Sequence, residues 1–293
     1  MTVAPDHPDL RQDVPLGPFT TYKRGGSARW FLDVADAGAL DGLVVPPDVP
    51  VLVLGRGSNL VVAEAGFPGL VVRLGTSFAE IDVRGDRVLA GATAPLPGVA
   101  RAAAAAGRGG LAWMVGVPGS VGGAVRMNAG CHGSDTAERL LVATIRDLRT
   151  GDVREASAED LELSYRHSNL TDDDLVVGAT FSTVASSRPA EEEEMRAVTR
   201  WRKEHQPGGT HNAGSVFKNP PGDAAGRIID ELGLKGLAVG GASVSRRHAN
   251  FIEADDGATA DDVHDLMLDV RARVLEATGI ELVPEIRFVG FDR

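Results

Sequence analysis

Residues 51–62 read VLVLGRGSNLVV, and this stretch does most to decide the fold class. Two runs rich in β-branched residues flank a polar loop that contains two glycines. The candidate cofactor-binding residues of this first glycine loop are Gly55, Arg56, Gly57, Ser58, Asn59 and Leu60. A Rossmann fingerprint needs a third glycine and a following helix, but here Leu60 takes that place and a strand-like run follows. By itself, the loop fits a tight β turn as well as a phosphate cradle.

A second glycine loop, VGVPGSVGGAVRMNAGCHG, occupies residues 115–133. Its candidate cofactor-binding residues are Gly119, Ser120, Gly122, Gly123, Asn128 and Ala129. Glycines let backbone N–H groups turn toward an anion without interference from a Cβ atom. Neither loop contains the Gly-Lys-Ser/Thr of a Walker loop. Two such loops about sixty residues apart predict a long diphosphate ligand that spans two lobes.

The rest of the chain divides into two parts of different character. Short strand-like runs with glycine-rich turns continue to about residue 185, with a hairpin turn predicted at Gly85-Asp86 and an alanine-rich helix within 95–107. A segment that opens with four glutamates and closes with Arg and Lys then suits the dipole of an exposed helix, which we favour over a metal site. The last hundred residues alternate helices and strands. They include a predicted helix with Thr259 as its N-cap and Gly279 as its end, whose apolar face comprises Val263, Leu266, Met267, Val270 and Val274. We therefore predict a first domain over 15–188 with lobes about 15–75 and 76–188, a connecting helix over 189–204 and a C-terminal domain over 205–293.

Bulk composition excludes several classes of protein. The formal net charge of -11 argues against wrapping nucleic acid or lying on an anionic membrane. Cys131 is the one cysteine, so no intrachain disulfide or CxxC centre is expected, and we assign no metal site. The first residues show no signal peptide, and no apolar run in the sequence approaches the length of a membrane span. We expect a cytoplasmic protein, and a monomer fits the pattern.

Seven motifs, taken together, identify the sequence more narrowly than either glycine loop alone. In chain order they are FTTYKRGGSARW, LGRGSNLVV, GVPGSVGGAVRMNAGCHG, SYRHS, NAGSVFKNP, GLKGLAVGGASVSRRHANFI and PEIRFVG. From about residue 15 to the C-terminus the chain resembles the UDP-N-acetylenolpyruvoylglucosamine reductases, the MurB flavoenzymes of peptidoglycan synthesis. The resemblance implies an α+β fold, with a two-lobed FAD-binding domain of the vanillyl-alcohol-oxidase (PCMH) type and a smaller α/β C-terminal domain that binds the substrate. It also implies tightly bound, non-covalent FAD, with NADPH as co-substrate.

The implied reaction reduces an enolpyruvyl ether to a lactyl ether, with a hydride to C3 and a proton to C2. Ser215 corresponds to the family's proton donor, and Lys218 and Asn219 are the neighbours we expect to activate it. Arg166 matches the arginine that pairs with the substrate carboxylate, for which a planar guanidinium is suited. Glu285 matches the glutamate that helps to polarise this carboxylate. Without the other motifs, a polar turn serine, a surface arginine and an exposed strand glutamate would be the simpler interpretations.

Four further positions match residues that contact the sugar nucleotide: Tyr165, Lys218, Asn219 and His248. A lone histidine near an apolar strand is more often structural, so His248 has a competing interpretation. The chain also departs from the family pattern. Arg56 stands where glycine is usual, and His132 stands where an aromatic residue is usual. No tyrosine follows the strand-like run at 175–184, so we predict the short subtype without a tyrosine lid.

Three functions compete at this stage. The first is the NADPH-dependent FAD reductase just described. The second is another FAD-dependent oxidoreductase of the same binding-domain superfamily, which would have no reason to carry Arg166, Ser215 and Glu285 in these motifs. The third is a sugar-nucleotide binding module without turnover, which would hold no flavin.

Overall fold

The structure is a computed structural model that describes residues 7–209 and 211–291. The strands are β1 (Arg11–Pro15), β2 (Ser27–Val34), β3 (Val51–Val53), β4 (Leu60–Val62), β5 (Phe67–Leu74), β6 (Ile81–Arg84), β7 (Arg87–Gly91), β8 (Arg108–Gly109), β9 (Gly130–Cys131), β10 (Ser134–Asp135), β11 (Leu140–Asp147), β12 (Val153–Ala156), β13 (Asp174–Ser182), β14 (Val184–Ala185), β15 (Ala238–Val239), β16 (Ala242–Val244), β17 (Ile252–Ala254) and β18 (Arg287–Val289). The helices are α1 (Leu96–Ala105), α2 (Val121–Met127), α3 (Thr136–Arg139), α4 (Arg188–His205), α5 (Ala225–Glu231) and α6 (Ala260–Thr278). This mixture of helices with largely antiparallel sheets confirms the predicted α+β class.

The described residues form two compact units that are not continuous in sequence. The first unit comprises 7–12, 30–56 and 69–202, and the second comprises 13–29, 57–68 and 203–291 without 210. The domain bounds proposed from the sequence stay a prediction. The segments 13–29 and 57–68 precede residue 188 in the chain, yet they pack with the C-terminal residues.

The first unit is built around a five-stranded antiparallel sheet in the order β12-β11-β13-β7-β6. The predicted hairpin turn at Gly85-Asp86 joins β6 to β7, and Gly85 has the positive φ of 60° that such a turn requires. Helix α1 confirms the alanine-rich prediction, with proline before its first turn and Gly107 just beyond its end. A second cluster of apolar residues in this unit surrounds β2, β5 and β3, of which β3 and β5 pair in parallel.

The second unit packs α6 on the three-stranded sheet β15-β16-β17. The sequence predicted the limits of α6 correctly. Thr259 is its N-cap and forms a reciprocal capping box with Asp262, while Gly279 ends the helix in the left-handed conformation. The predicted apolar face is confirmed as buried: Val263, Leu266, Met267, Val270 and Val274. In the same unit, β18 pairs in parallel with β4, which directly follows the first glycine loop.

Tyr22 joins the N-terminal part of the second unit to its sheet. The ring is 1% exposed, and its hydroxyl donates a hydrogen bond of 3.0 Å to the carbonyl of Ile252 in β17. Burial raises the pKa of the Tyr22 phenol far above its usual value, so it stays a hydrogen-bond donor across the working pH range.

We expect Tyr22→Phe to lower the free energy of unfolding by about 1–2 kcal/mol, because the buried Ile252 carbonyl loses its donor. Urea unfolding followed by far-UV circular dichroism would measure the shift. The matched control is Tyr165→Phe, since Tyr165 is 50% exposed and should leave the midpoint unchanged. Equal midpoints for wild type and Tyr22→Phe would contradict the prediction.

Candidate functional site

The backbone conformation of the first glycine loop depends on Gly57. This residue has φ of 60°, and a Cβ atom on it would lie 2.1 Å from the carbonyl oxygen of Phe19, so only glycine fits. Its own carbonyl accepts a hydrogen bond of 3.1 Å from the Thr21 N–H. Gly55 and Arg56, which precede it in the chain, are exposed. The loop is therefore fixed by backbone contacts at Gly57, while Gly55 and Arg56 are exposed to solvent.

Within the first unit, the second glycine loop comes close to Gly55. A Cβ atom on Gly55 would lie 3.1 Å from the Ser120 hydroxyl, which places the two loops in contact at this point. Much of the second loop is helix α2, which the sequence analysis treated as loop. Ser120 is the N-cap, and the N–H groups of Val121 and Gly122 donate to the carbonyls of Ala94 and Ala92. Gly122 is needed for this packing, because its Cβ would lie 3.2 Å from that of Ala92.

Asn128 ends helix α2 in the left-handed conformation and is fully buried. Its side-chain amide donates to Asp135 at 3.1 Å and to the Ser164 carbonyl at 2.8 Å, and its oxygen accepts from the Ala137 N–H at 2.8 Å. The side chain is thus engaged in the protein itself. Through these bonds Asn128 joins the second loop to the segment that begins at Ser164. The cofactor contacts predicted for Asn128 and Ala129 stay predictions.

That segment carries Tyr165 and Arg166 in a tight turn closed by the antiparallel bridge between Ser164 and His167. Arg166 has φ of 54°, a left-handed conformation that costs a non-glycine residue energy. Its guanidinium donates to the Gly130 carbonyl at 2.7 Å and lies 5.2 Å from the centre of the Tyr165 ring. The turn therefore holds both predicted residues beside the second glycine loop, within the first unit.

The other two predicted catalytic residues, Ser215 and Glu285, lie on neighbouring chain segments in the second unit. The Glu285 N–H donates to the Val216 carbonyl at 2.7 Å, so the two residues lie on adjacent chain segments. The Lys218 N–H donates to the Val283 carbonyl at 2.8 Å, and Phe217 forms an antiparallel bridge with Pro284.

The first glycine loop also contacts the segment that carries Glu285. The side-chain amide of Asn59 donates to the Glu285 carbonyl at 2.9 Å, and the Asn59 carbonyl accepts from the Arg287 N–H at 3.1 Å. Asn59 was predicted to bind the cofactor. The structure gives its side chain a contact with the segment that carries Glu285, which the sequence analysis did not foresee.

Three predicted substrate-binding residues occupy different surroundings in the second unit. Lys218 is half-buried, next along the chain from the bridge at Phe217. The Asn219 side-chain oxygen accepts from the Ala225 N–H at 3.1 Å and so satisfies a donor at the start of α5. His248 is half-buried, and burial lowers its pKa, with its ring 4.8 Å from that of Phe251. His248 therefore sits in the apolar setting that favours a neutral imidazole.

His132 is the departure from the family pattern in the second loop, and Cys131 precedes it in the chain. The His132 ring meets the exposed ring of Trp201 edge-on at 5.0 Å. The Cys131 thiol donates to the Trp113 carbonyl at 3.1 Å. Burial raises the pKa of Cys131 to about 11, even though the charges of Arg202 and Arg166 act in the opposite direction.

The raised pKa predicts slow alkylation of Cys131. Since burial disfavours the thiolate, its fraction at pH 8 should be about 100-fold smaller than that of a free cysteine, and it should grow about tenfold per pH unit up to pH 10. Iodoacetamide labelling followed by mass spectrometry would measure the rate. Labelling after denaturation in guanidinium is the control and should be fast. Rapid labelling of the folded protein at pH 8 would contradict the prediction.

Over the described residues, no group of three or more His, Cys, Asp or Glu side chains is arranged to hold a metal ion. In the same part of the chain, no helix has the length and apolar character to cross a membrane. The expectation about a signal peptide rests partly on residues 1–6, which lie outside the described residues.

Comparison with known proteins gives consistent results along the chain. Residues 46–157 match a family model described as an FAD binding domain. Residues 206–289 match the model for the C-terminal domain of UDP-N-acetylenolpyruvoylglucosamine reductase. The UDP-N-acetylenolpyruvoylglucosamine reductase of Paramagnetospirillum magneticum is 43% identical over 96% of this chain and 92% of its own length. That of Acidiphilium cryptum is 44% identical over 95% of this chain and 90% of its own length.

A solved structure extends the similarity to three dimensions. The crystal structure of UDP-N-acetylenolpyruvylglucosamine reductase from Thermus caldophilus aligns with a TM-score of 0.83 at 36% identity. The alignment covers 96% of this chain and 99% of that one. The predicted combination of an FAD-binding domain and a C-terminal domain of this family is therefore confirmed.

Proposed function

Because the chain belongs to the UDP-N-acetylenolpyruvoylglucosamine reductase family, we propose that it reduces UDP-N-acetylglucosamine enolpyruvate to UDP-N-acetylmuramate with electrons from NADPH. The family makes the chain an FAD-dependent oxidoreductase of peptidoglycan precursor synthesis. The identity of the electron donor, the catalytic steps and a cytoplasmic location are our proposals.

The two glycine loops are suited to an FAD diphosphate. A side chain at Gly55 would crowd the Ser120 hydroxyl, and one at Gly57 would collide with the Phe19 carbonyl. Protein atoms occupy both of these spaces, so glycine lets the chain pack closely there and leaves its backbone without a covering side chain. Residues 55–60 and 119–123 would hold the cofactor. When bound and reduced by NADPH, FAD would supply the hydride for C3 of the enolpyruvyl group.

The protein's own part is to orient the substrate and to deliver a proton. We propose that Ser215 Oγ gives its proton to C2, which accumulates negative charge as C3 is reduced. Arg166 pairs with the substrate carboxylate, which shares that charge. Glu285 lies on the segment hydrogen-bonded to that of Ser215 and helps to polarise the same carboxylate.

Sugar-nucleotide contacts are proposed for the remaining predicted residues. Lys218 offers a cation for the diphosphate, and Tyr165 offers a half-exposed hydroxyl. Asn219 already satisfies the Ala225 N–H through its oxygen, so its contact with the substrate would use the amide N–H₂ group. His248 is proposed as a contact in its neutral form.

The observation that best supports this function is the link between Ser215 and Glu285. The two residues lie 70 positions apart in sequence, yet a 2.7 Å hydrogen bond joins the residue after Ser215 to Glu285 itself. Another flavin oxidoreductase that shares the glycine loops has no need of this arrangement.

An anaerobic experiment tests the proposal. The bound flavin is reduced with NADPH, the enolpyruvyl sugar nucleotide is added, and the return of the oxidised flavin spectrum is followed. We expect reoxidation with one equivalent of UDP-N-acetylmuramate by mass spectrometry, and none with UDP-N-acetylglucosamine as the control. Flavin that stays reduced with both compounds would contradict the proposed function. A purified protein without flavin would favour the binding module instead.

A further inference from the structure

Asn250 is a buried polar residue that has no role in the chemistry proposed above. It is 3% exposed and follows β16 in the second unit. We propose that Asn250 is a positioning residue for proton transfer, because it fixes the chain segment that carries Ser215 relative to Glu285. This inference rests on the proposed function.

Three hydrogen bonds join Asn250 to the two residues that follow Ser215, while its own N–H donates to the His248 ring at 3.2 Å. Its backbone carbonyl accepts from the Val216 N–H at 2.8 Å. Its side-chain oxygen accepts from the Phe217 N–H at 3.0 Å, and its side-chain amide donates to the Phe217 carbonyl at 2.8 Å. The side chain thus satisfies both backbone polar groups of Phe217, as a neighbouring β-strand would.

The opposite edge of the same segment faces Glu285. The Val216 carbonyl accepts from the Glu285 N–H, and the Lys218 N–H donates to the Val283 carbonyl. Residues 216–218 are therefore held between Asn250 on one side and residues 283–286 on the other. Since Val216 and Phe217 are 1% and 2% exposed, water is not available to replace a lost partner.

This arrangement makes the position of Ser215 depend on Asn250. Ser215 lies next to Val216 in the chain, so the backbone contacts of Val216 and Phe217 help to set where its hydroxyl stands. That backbone is held from one side by Asn250. Proton transfer needs hydrogen-bond distance, and a displacement of about 1 Å can cost about 10²-fold in rate.

We expect Asn250→Ala to slow reoxidation of the reduced flavin by the enolpyruvyl sugar nucleotide by about 10–10²-fold, because the segment loses two of its anchors. Reduction by NADPH should stay within about twofold of wild type, since it needs no proton from Ser215. Asn250→Asp keeps the shape and the acceptor for the Phe217 N–H but puts a carboxylate oxygen opposite the Phe217 carbonyl. It should show the same split between the two half-reactions.

The experiment measures both half-reactions anaerobically by stopped flow in the full-length flavoprotein. Titration of the oxidised flavin spectrum with the enolpyruvyl sugar nucleotide gives its dissociation constant, which we expect to change by less than about threefold in the variants. Thr183→Ala is the matched control. Thr183 is 7% exposed and its hydroxyl makes two hydrogen bonds, with Arg108 at 2.9 Å and the Asp86 carbonyl at 2.8 Å, so its loss affects stability in the first unit without touching the Ser215 segment.

Each outcome either supports or overturns the positioning role of Asn250. A wild-type flavin that the substrate does not reoxidise overturns the proposed function and this inference with it. If wild type is reoxidised, then equal rates in Asn250→Ala, or a parallel loss in both half-reactions, overturn the positioning role alone. If the alanine variant fails to fold with flavin, the same criterion is applied to Asn250→Asp. Slow reoxidation with intact reduction, absent in Thr183→Ala, supports the inference.

Discussion

Ser215→Ala is expected to slow reoxidation of the reduced flavin by the enolpyruvyl sugar nucleotide by about 10²–10⁴-fold, the usual contribution of a general acid. Reduction of the flavin by NADPH should be unchanged, because no proton is delivered to C2 in that step. Alanine removes only the hydroxyl, and the backbone contacts at Val216 that hold the segment remain. The loss should therefore appear in the chemical step rather than in folding.

Anaerobic stopped-flow measurement of the two half-reactions separates these effects. Ser157→Ala is a suitable control, since the Ser157 hydroxyl bonds only to Asp160 on an exposed turn of the first unit. It should leave both rates unchanged. An equal loss in the two half-reactions of Ser215→Ala would remove Ser215 as the proton donor.

Features with strong local signals were predicted well from the sequence. Helix α6 has a capping box at Thr259 and a terminal glycine at Gly279, and its limits were correct. The β6–β7 hairpin has a two-residue Gly-Asp turn and was also correct. These elements are encoded by residues close together in the chain, so a single sequence suffices to find them.

Helix α2 and strand β2 were missed for different reasons. Two adjacent glycines, Gly122 and Gly123, lower the intrinsic helix propensity of α2, and its packing on Ala92 overrides that preference. Strand β2 is buried on parts of both faces, so it lacks the alternation of apolar and polar residues that identifies a half-buried strand. In both cases tertiary contacts decide the structure.

In the candidate site too, features that depend on tertiary contacts could not be predicted from the sequence. Ser215, Arg166 and Glu285 were proposed because each lies in a motif that resembles a known family, and their roles stay predictions. Asn250 was not singled out, because its partner Phe217 lies 33 residues away and a buried asparagine has no signal of its own in a sequence. The grouping of 13–29 and 57–68 with the C-terminal residues likewise rests on contacts between distant parts of the chain.

Arg166→Lys is expected to lower kcat/KM for the enolpyruvyl substrate by about 10²–10³-fold, the range measured when a charge-stabilising donor is removed. Lysine keeps the positive charge but lacks the planar fork that donates two parallel hydrogen bonds to a carboxylate. It also cannot reproduce the guanidinium geometry that joins the Gly130 carbonyl and the Tyr165 ring. Most of the loss should fall on reoxidation, with flavin reduction nearly intact.

A glycine variant separates the side chain from the backbone at this position. Because Arg166 has φ of 54°, glycine adopts its conformation without strain, so Arg166→Gly should fold at least as readily while losing the charge and both contacts. We expect its loss of kcat/KM to equal or exceed that of Arg166→Lys. Arg154→Lys is the control, since Arg154 is an exposed arginine that pairs with Asp174 at 3.0 Å in the first unit, outside the proposed site. If Arg166→Lys kept activity within about threefold of wild type, charge alone would suffice and bidentate pairing would be wrong.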